Sequence, residues 1–212
     1  MFRYTLPWIS FSETELAAAR QELTEFVERM AKQAAERVGF GWIPTADAPN
    51  SWHALLEAWE HSRETGTPLP ISNVGCHDVI FTSPEAIGAY RFWHDVTHVE
   101  RERDFTNPHE VDIAIDHLDE AERNGLKPDS LAWRLLHADA IGTVMSSSVN
   151  RSYLINQRVF ILNYVQFGLG ASLLAELARA GQYDPARLRA GVDYTTDAVA
   201  PIPSSKAGDH HE

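Results

Sequence analysis

Apolar residues return every three or four positions along Leu16, Ala19, Leu23, Phe26, Val27, Met30, Ala34 and Val38, the period of a helix that buries one face. Ser12-Glu-Thr-Glu15 ahead of the run is a capping-box pattern, and Gly39 behind it is a stop signal. A helix this long cannot hide its stripe alone, so the remainder must supply partners to pack against it. The remainder repeats the helical signal. Ser51 opens a shorter helix through Leu55, Leu56 and Trp59 to about Arg63. Ser83-Pro84-Glu85 opens one from 84 to about 102, and Asn107-Pro-His-Glu110 opens one from 108 to 123, with Asn107 as cap and Glu110 as the capping-box acid. Asp129 or Ser130 caps a nearly all-apolar helix over 131–146, and a last long helix runs from 152 to 168, then past Gly168-Leu-Gly170 to Gly181. Gly39 to Asn50 and Gly66 to Pro84 read as irregular, with a short extended piece at Val79 to Phe81. The expectation is an all-α fold, a helical bundle of about six helices led by a long N-terminal amphipathic helix.

Composition narrows the partners. At 212 residues and 44% hydrophobic content, with no linker in view, the chain reads as one helical domain over 1–193, followed by an irregular, mobile tail over 194–212 that contains His210 and His211. A short helix at Asp184-Pro-Ala-Arg-Leu precedes the tail. A formal charge of −12 argues against unspecific binding to nucleic acid or to an anionic membrane. The expected partner is a small anionic molecule, with a homo-oligomer left open. Cys76 is the only cysteine, which excludes an internal disulfide or a cysteine-based zinc cluster and fits a reducing cytoplasm. No signal peptide or membrane-length apolar span is visible, so the protein is expected to be soluble and cytoplasmic.

The chemistry gathers on Arg91-Phe-Trp-His-Asp-Val-Thr-His98. On the helix expected there, His94 and His98 lie one turn apart and project with Arg91 and Arg101 from one face, beside an apolar stripe of Ala89, Phe92, Val96 and Val99. Two histidines so spaced can offer two imidazole nitrogens to one cation, and Asp95 can add an oxygen or orient a ring. The alternative is a pair of histidines hydrogen-bonded in the core. Glu110 and His117, seven residues apart, share a face of the next helix and are further candidate ligands, although the capping box gives Glu110 a structural role. Asp139 falls on an apolar surface with Ala132, Leu135, Leu136 and Thr143, where a carboxylate costs several kcal/mol unless a cation, an arginine such as Arg91 or Arg158, or good donors meet it. His137 reads as a packed histidine, His77-Asp78 as a solvated or hydrogen-bonded pair, and Asn156, Gln157 and Asn163 as polar positions that could line a pocket or bond within the core.

His94, His98, Glu110, Asp139 and His117 thus make up the candidate metal ligands, Asp95 and Glu110 the candidate catalytic carboxylates, and Arg91 and Arg101 the candidate substrate-binding cations. A mixed imidazole and carboxylate set suits Zn, Mn or Fe without choosing among them. Two arginines beside it favour an anionic substrate such as a phosphate, which tilts the reading to metal-assisted hydrolysis.

The His94-Asp95 doublet on a helix, followed 44 residues after Asp95 by Asp139, resembles the signature of the HD-type metal phosphohydrolases, helical enzymes acting on nucleotides and other phosphoesters. That resemblance implies a further histidine on a preceding helix, where His53, His61 and His77 are the ones available. The wider pattern Trp93-His-Asp-x-x-His98, Asp104-Phe105, Glu110 and Ala138-Asp139 is also similar to helical proteins of bacteria and their phages, a likeness that carries no activity with it. Two other readings stand beside hydrolysis: a non-haem iron oxygenase or oxidase, and a non-catalytic interaction or regulatory protein whose histidines and aspartates form a buried network.

Overall fold

A computed structural model describes residues 9–75, 79–150 and 154–179. The first helix, α1 (Glu13–Val38), is bounded as its ends dictate. The Ser12 hydroxyl accepts the Glu15 amide at 3.2 Å, the Glu15 carboxylate accepts the Ser12 amide at 2.7 Å, and Gly39 ends the helix at φ 86°. Its stripe of Leu23, Phe26, Val27 and Met30 is buried against α3 (Pro84–Glu100) and α5 (Leu131–His137). Phe26 meets the indole of Trp93 edge-on at 5.7 Å between ring centres. Such a ring, fully enclosed, is worth about 3–5 kcal/mol by truncation to alanine.

Between α1 and α3 the chain departs from the irregular run expected there. Strands β1 (Trp42–Thr45) and β2 (Leu69–Ser72) pair in parallel, Trp42 opposite Leu69, with α2 (Trp52–Thr65) as the crossover. Each strand carries a proline, Pro44 and Pro70, and is only four residues long; β2 alternates buried Leu69 and Ile71 with half-buried neighbours, whereas β1 shows no alternation. The pair lies against α3, with Trp42 stacked on Phe92 at 4.8 Å. Val79 to Phe81 do not form a strand. They are held as loop by Arg20, whose guanidinium donates to the carbonyls of Ile80 and Phe81 at 2.6 and 2.7 Å.

Two helix starts and one helix interior also differ from expectation. The helix α4 (Asn107–Arg123) begins after Thr106, so Asn107 is its first residue, not its cap, and no side chain caps it. The expected helix over 131–146 is α5, a wider π turn at Ala138–Gly142, then α6 (Thr143–Asn150). The helix expected from 152 begins later, as α7 (Gln157–Phe167), where the Asn156 side chain caps it by accepting the Val159 amide at 2.9 Å. Gly168, with φ 84°, separates α7 from α8 (Leu169–Arg179).

The result is an all-α bundle with one small two-stranded sheet. Among the described residues no helix is long and apolar enough to cross a membrane. Cys76, His77, Asp78, the helix expected near Asp184 and the whole of 194–212 lie outside the described residues.

Candidate metal centre

The centre lies where α3 and α4 run side by side. Spacing brings His94 and His98 onto one face of α3, and the start of α4 one residue earlier than expected leaves the Glu110 carboxylate free of the capping box to face them. With Thr106 as the cap, the capping-box position is His109, and Glu110 is one residue beyond it. Its Oε2 lies 3.3 Å from His94 Nε2 and 3.6 Å from His98 Nε2, and the two ring nitrogens are 2.9 Å apart. One ligand atom from each of these residues falls within 4.8 Å of both others.

The end of α3 fixes the ring of His98. The Arg103 amide donates to the His98 carbonyl at 3.0 Å and the Glu102 amide to the Val99 carbonyl at 3.2 Å, with Glu102 at φ 53°. This is the Schellman arrangement that usually places glycine at the left-handed position. It turns the Arg103 carbonyl back onto His98 Nδ1, 2.8 Å away. A carbonyl only accepts, so Nδ1 carries the proton and the neutral ring presents the lone pair of Nε2 to His94 and Glu110. His98 Nε2 and Glu110 Oε2 are then both acceptors, and His94 Nε2 completes a group that only a proton or a metal cation can bind together.

The electrostatics agree. With protons in the place of a cation, burial alone would raise the Glu110 carboxyl, but hydrogen bonds from His94 and His98 in their protonated forms, and the charges of those rings, hold it well below the usual carboxylate range. Burial works against a charge on His94, and the Glu110 carboxylate outweighs it, so that the ring titrates above its ordinary value.

The other expected residues are distributed around this group. His117, fully enclosed, has Nε2 3.2 Å from His94 Nδ1 and stands behind that ring, outside the converging atoms. Asp95 is half-buried, and burial pushes its carboxyl up to about 6 against the charges of His94, His98 and Arg91. Asp139 is 2% exposed; Gln157 donates to Oδ1, while Oδ2 has no hydrogen-bond partner among the described residues. Burial pushes its carboxyl up to about 7, with the Gln157 bond and the charges of His94 and Arg91 pulling the other way. Asp139 thus belongs to the electrostatic surroundings of His94 without joining the three converging atoms. Arg91 donates to the Ser72 carbonyl at 2.5 Å, tying α3 to β2. Arg101 is exposed and pairs with Asp116 at 3.2 Å. His53 is exposed and pairs with Glu57 on its own helix, and His137 packs on Trp133 at 5.2 Å.

Two residues escaped the sequence reading. Tyr90, one turn before His94, packs its ring 6.1 Å from His94 and 5.9 Å from His117, and the helical spacing could have found it. Glu176 is buried in α8, where it accepts the Ile155 amide at 2.5 Å and pairs with Arg179; no local pattern announces that contact. Comparison with protein-family models, with curated proteins and with solved structures finds no match to this chain.

Proposed function

We propose that this chain is a metal-dependent hydrolase of a small phosphorylated substrate, nucleotides included, with a divalent cation held by His94, His98 and Glu110. The observation that carries the reading is the convergence of Nε2, Nε2 and Oε2 within 4.8 Å, with His98 locked in the form that offers its lone pair. Two imidazoles and one carboxylate are a common protein share of a catalytic zinc site, which keeps a further position for water. Such a cation lowers the pKa of bound water and polarises a phosphoryl oxygen.

The chain's own residues supply the rest. Asp139, whose Oδ2 has no partner among the described residues and whose carboxyl titrates near 7, is poised to take and return a proton at neutral pH. Asp95 is the second carboxyl raised toward neutrality beside the histidines. Both candidate cations already have partners, Arg91 the Ser72 carbonyl and Arg101 the Asp116 carboxylate; Arg91, whose charge acts on both Asp95 and Asp139, is the one assigned to a phosphate oxygen.

The donor set favours one other reading. Two histidines and a carboxylate are also the ligands of non-haem iron oxygenases. Elemental analysis of protein purified with Zn, Mn and Fe present, followed by phosphoester hydrolysis and oxygen-uptake assays, separates the two. One equivalent of Zn or Mn with hydrolysis of p-nitrophenyl phosphate or a nucleotide is expected. Iron with oxygen uptake would move the assignment to the second reading. Failure to retain any divalent ion at micromolar concentration would leave a hydrogen-bonded network and no enzyme.

A further inference from the structure

His117 is fully enclosed beside the centre, yet it offers no atom to the converging group. Its ring lies 3.9 Å from that of Trp93, whose Nε1 donates to the Glu120 carboxylate at 3.1 Å. Nε2 faces His94 Nδ1 at 3.2 Å, and Nδ1 is buried with no hydrogen-bond partner among the described residues. A ring placed for packing alone would not aim one nitrogen at a neighbouring imidazole and leave the other bare.

We infer that His117 is a positioning residue, which accepts a hydrogen bond from His94 Nδ1 and so holds His94 with its Nε2 lone pair turned toward the cation. The inference rests on the proposed metal reading and assigns a role that reading does not use. A ligating Nε2 carries no proton, so a neutral His94 must carry its proton on Nδ1. That proton points at His117 Nε2, which therefore accepts, and the proton of His117 itself sits on Nδ1. The two ligating rings are then steered from behind by different acceptors. For His98 the acceptor is the Arg103 carbonyl at 2.8 Å; for His94 it is an imidazole. The imidazole has a consequence the carbonyl lacks, because it leaves a buried N–H with no partner among the described residues. His117 is thus useful to the metal-bound state and a burden on the fold.

That opposition separates positioning from mere packing. Zn2+ dissociation constants should be measured by competition with a chromogenic chelator for the full chain, His117→Phe and His117→Gln, together with the Tm of each metal-free protein. His117→Phe fills the space without an acceptor, and is expected to bind Zn2+ 10 to 100 times more weakly while its metal-free Tm stays level or rises. His117→Gln, whose amide oxygen can accept in the same place, is expected to recover most of the loss. Long-range 1H–15N spectra of the Zn2+-loaded natural sequence should show His94, His98 and His117 all protonated on Nδ1, a readout that survives if a variant fails to fold. His117 protonated on Nε2, or His117→Phe binding Zn2+ as tightly as the natural sequence, overturns the inference while leaving the metal reading standing. No Zn2+ uptake by the natural sequence overturns both.

Discussion

Glu110 and Asp139 are two carboxylates that both feel the charge of His94, and the fold drives them in opposite directions. Glu110 sits in the first turn of α4 and receives His94 and His98, so its proton is lost far below the ordinary range. Asp139 sits in a π turn on an inner helix, receives one amide from Gln157, and keeps its proton up to about 7. Burial is common to both. The partners differ, and they decide that one side chain stays ionised through the neutral range while the other titrates near 7, the division that the proposed metal and proton-transfer roles require.

The hardest test of that division is to remove the fixed charge. Glu110→Ala is expected to lower phosphoester hydrolysis by at least ~10³-fold, equivalent to about 4 kcal/mol in the barrier, and to abolish Zn2+ retention in equilibrium dialysis. Activity kept at natural levels would mean that the two carboxylates have exchanged roles or that no cation is involved.

The second test reads pH. An unfolded aspartate titrates near 3.8 and folded Asp139 near 7, so between these values the folded chain binds more protons. Stability from this group is complete below about pH 4, falls as pH rises to about 7, and is flat above. Glu110 has the reverse sign: its contribution is present above 4.5 and is lost as pH falls below that value. Asp139→Asn should therefore raise metal-free stability above pH 7, by roughly 2–4 kcal/mol, and remove the decline between pH 4 and 7. Glu110→Gln should instead flatten the acid limb. Urea unfolding with a chelator present, at unit pH intervals, measures both. An Asp139→Asn profile parallel to that of the natural sequence would show that the carboxylate is already satisfied.

How legible these two acids were in the sequence differs as sharply as their chemistry. Asp139 announced itself, because a charge on an apolar helix face is costly wherever that face is buried. What met it was not legible: Gln157 comes from a helix whose start was misplaced by several residues, and the π turn shifts the register that a uniform period of 3.6 assumes. Glu110 was half hidden by a good local explanation, since Asn107-Pro-His-Glu reads as a capping box. The real cap, one residue earlier, has no local signature, because Thr106 caps through position and not through a side-chain bond. The existence of α1 and of α3, and the histidines one turn apart, followed directly from periodicity; that α1 packs on α3 and α5 did not. Nor did the β1–β2 pair, since each strand is only four residues long and carries a proline, a residue that argues against a strand.

The π turn that carries Asp139 offers a third way to sharpen the comparison. A Cβ added at Gly142 would lie 2.8 Å from Tyr164 Cδ1 and 3.1 Å from Phe160 Cε1, so α7 can seat Gln157 against Asp139 only over a bare glycine. Gly142→Ala is expected to cost about 1–3 kcal/mol. It should also weaken the Asp139 effect on pH dependence, while Zn2+ affinity at His94, His98 and Glu110 stays within about twofold. An equal loss at both carboxylates would show that the two corners are one mechanical unit.

The smallest effect belongs to the turn behind His98. Glu102 occupies the left-handed position of a Schellman motif, a conformation that costs a non-glycine residue about 1 kcal/mol. Glu102→Gly relieves that cost in the folded state but gives some of it back as added freedom of the unfolded chain, so a gain near 0.5–1 kcal/mol is the expected net. The corresponding rise in Tm is roughly 1–4 °C. Because the Arg103 carbonyl remains on His98 Nδ1, Zn2+ affinity should be unchanged. Glu102→Val places a β-branched residue where φ is positive and must open the turn or strain it, so it should lower both Tm and Zn2+ affinity. A thermal scan and a Zn2+ titration on the pair suffice: if Glu102→Val loses stability alone, the turn shapes the helix end without setting the face that His98 shows to Glu110.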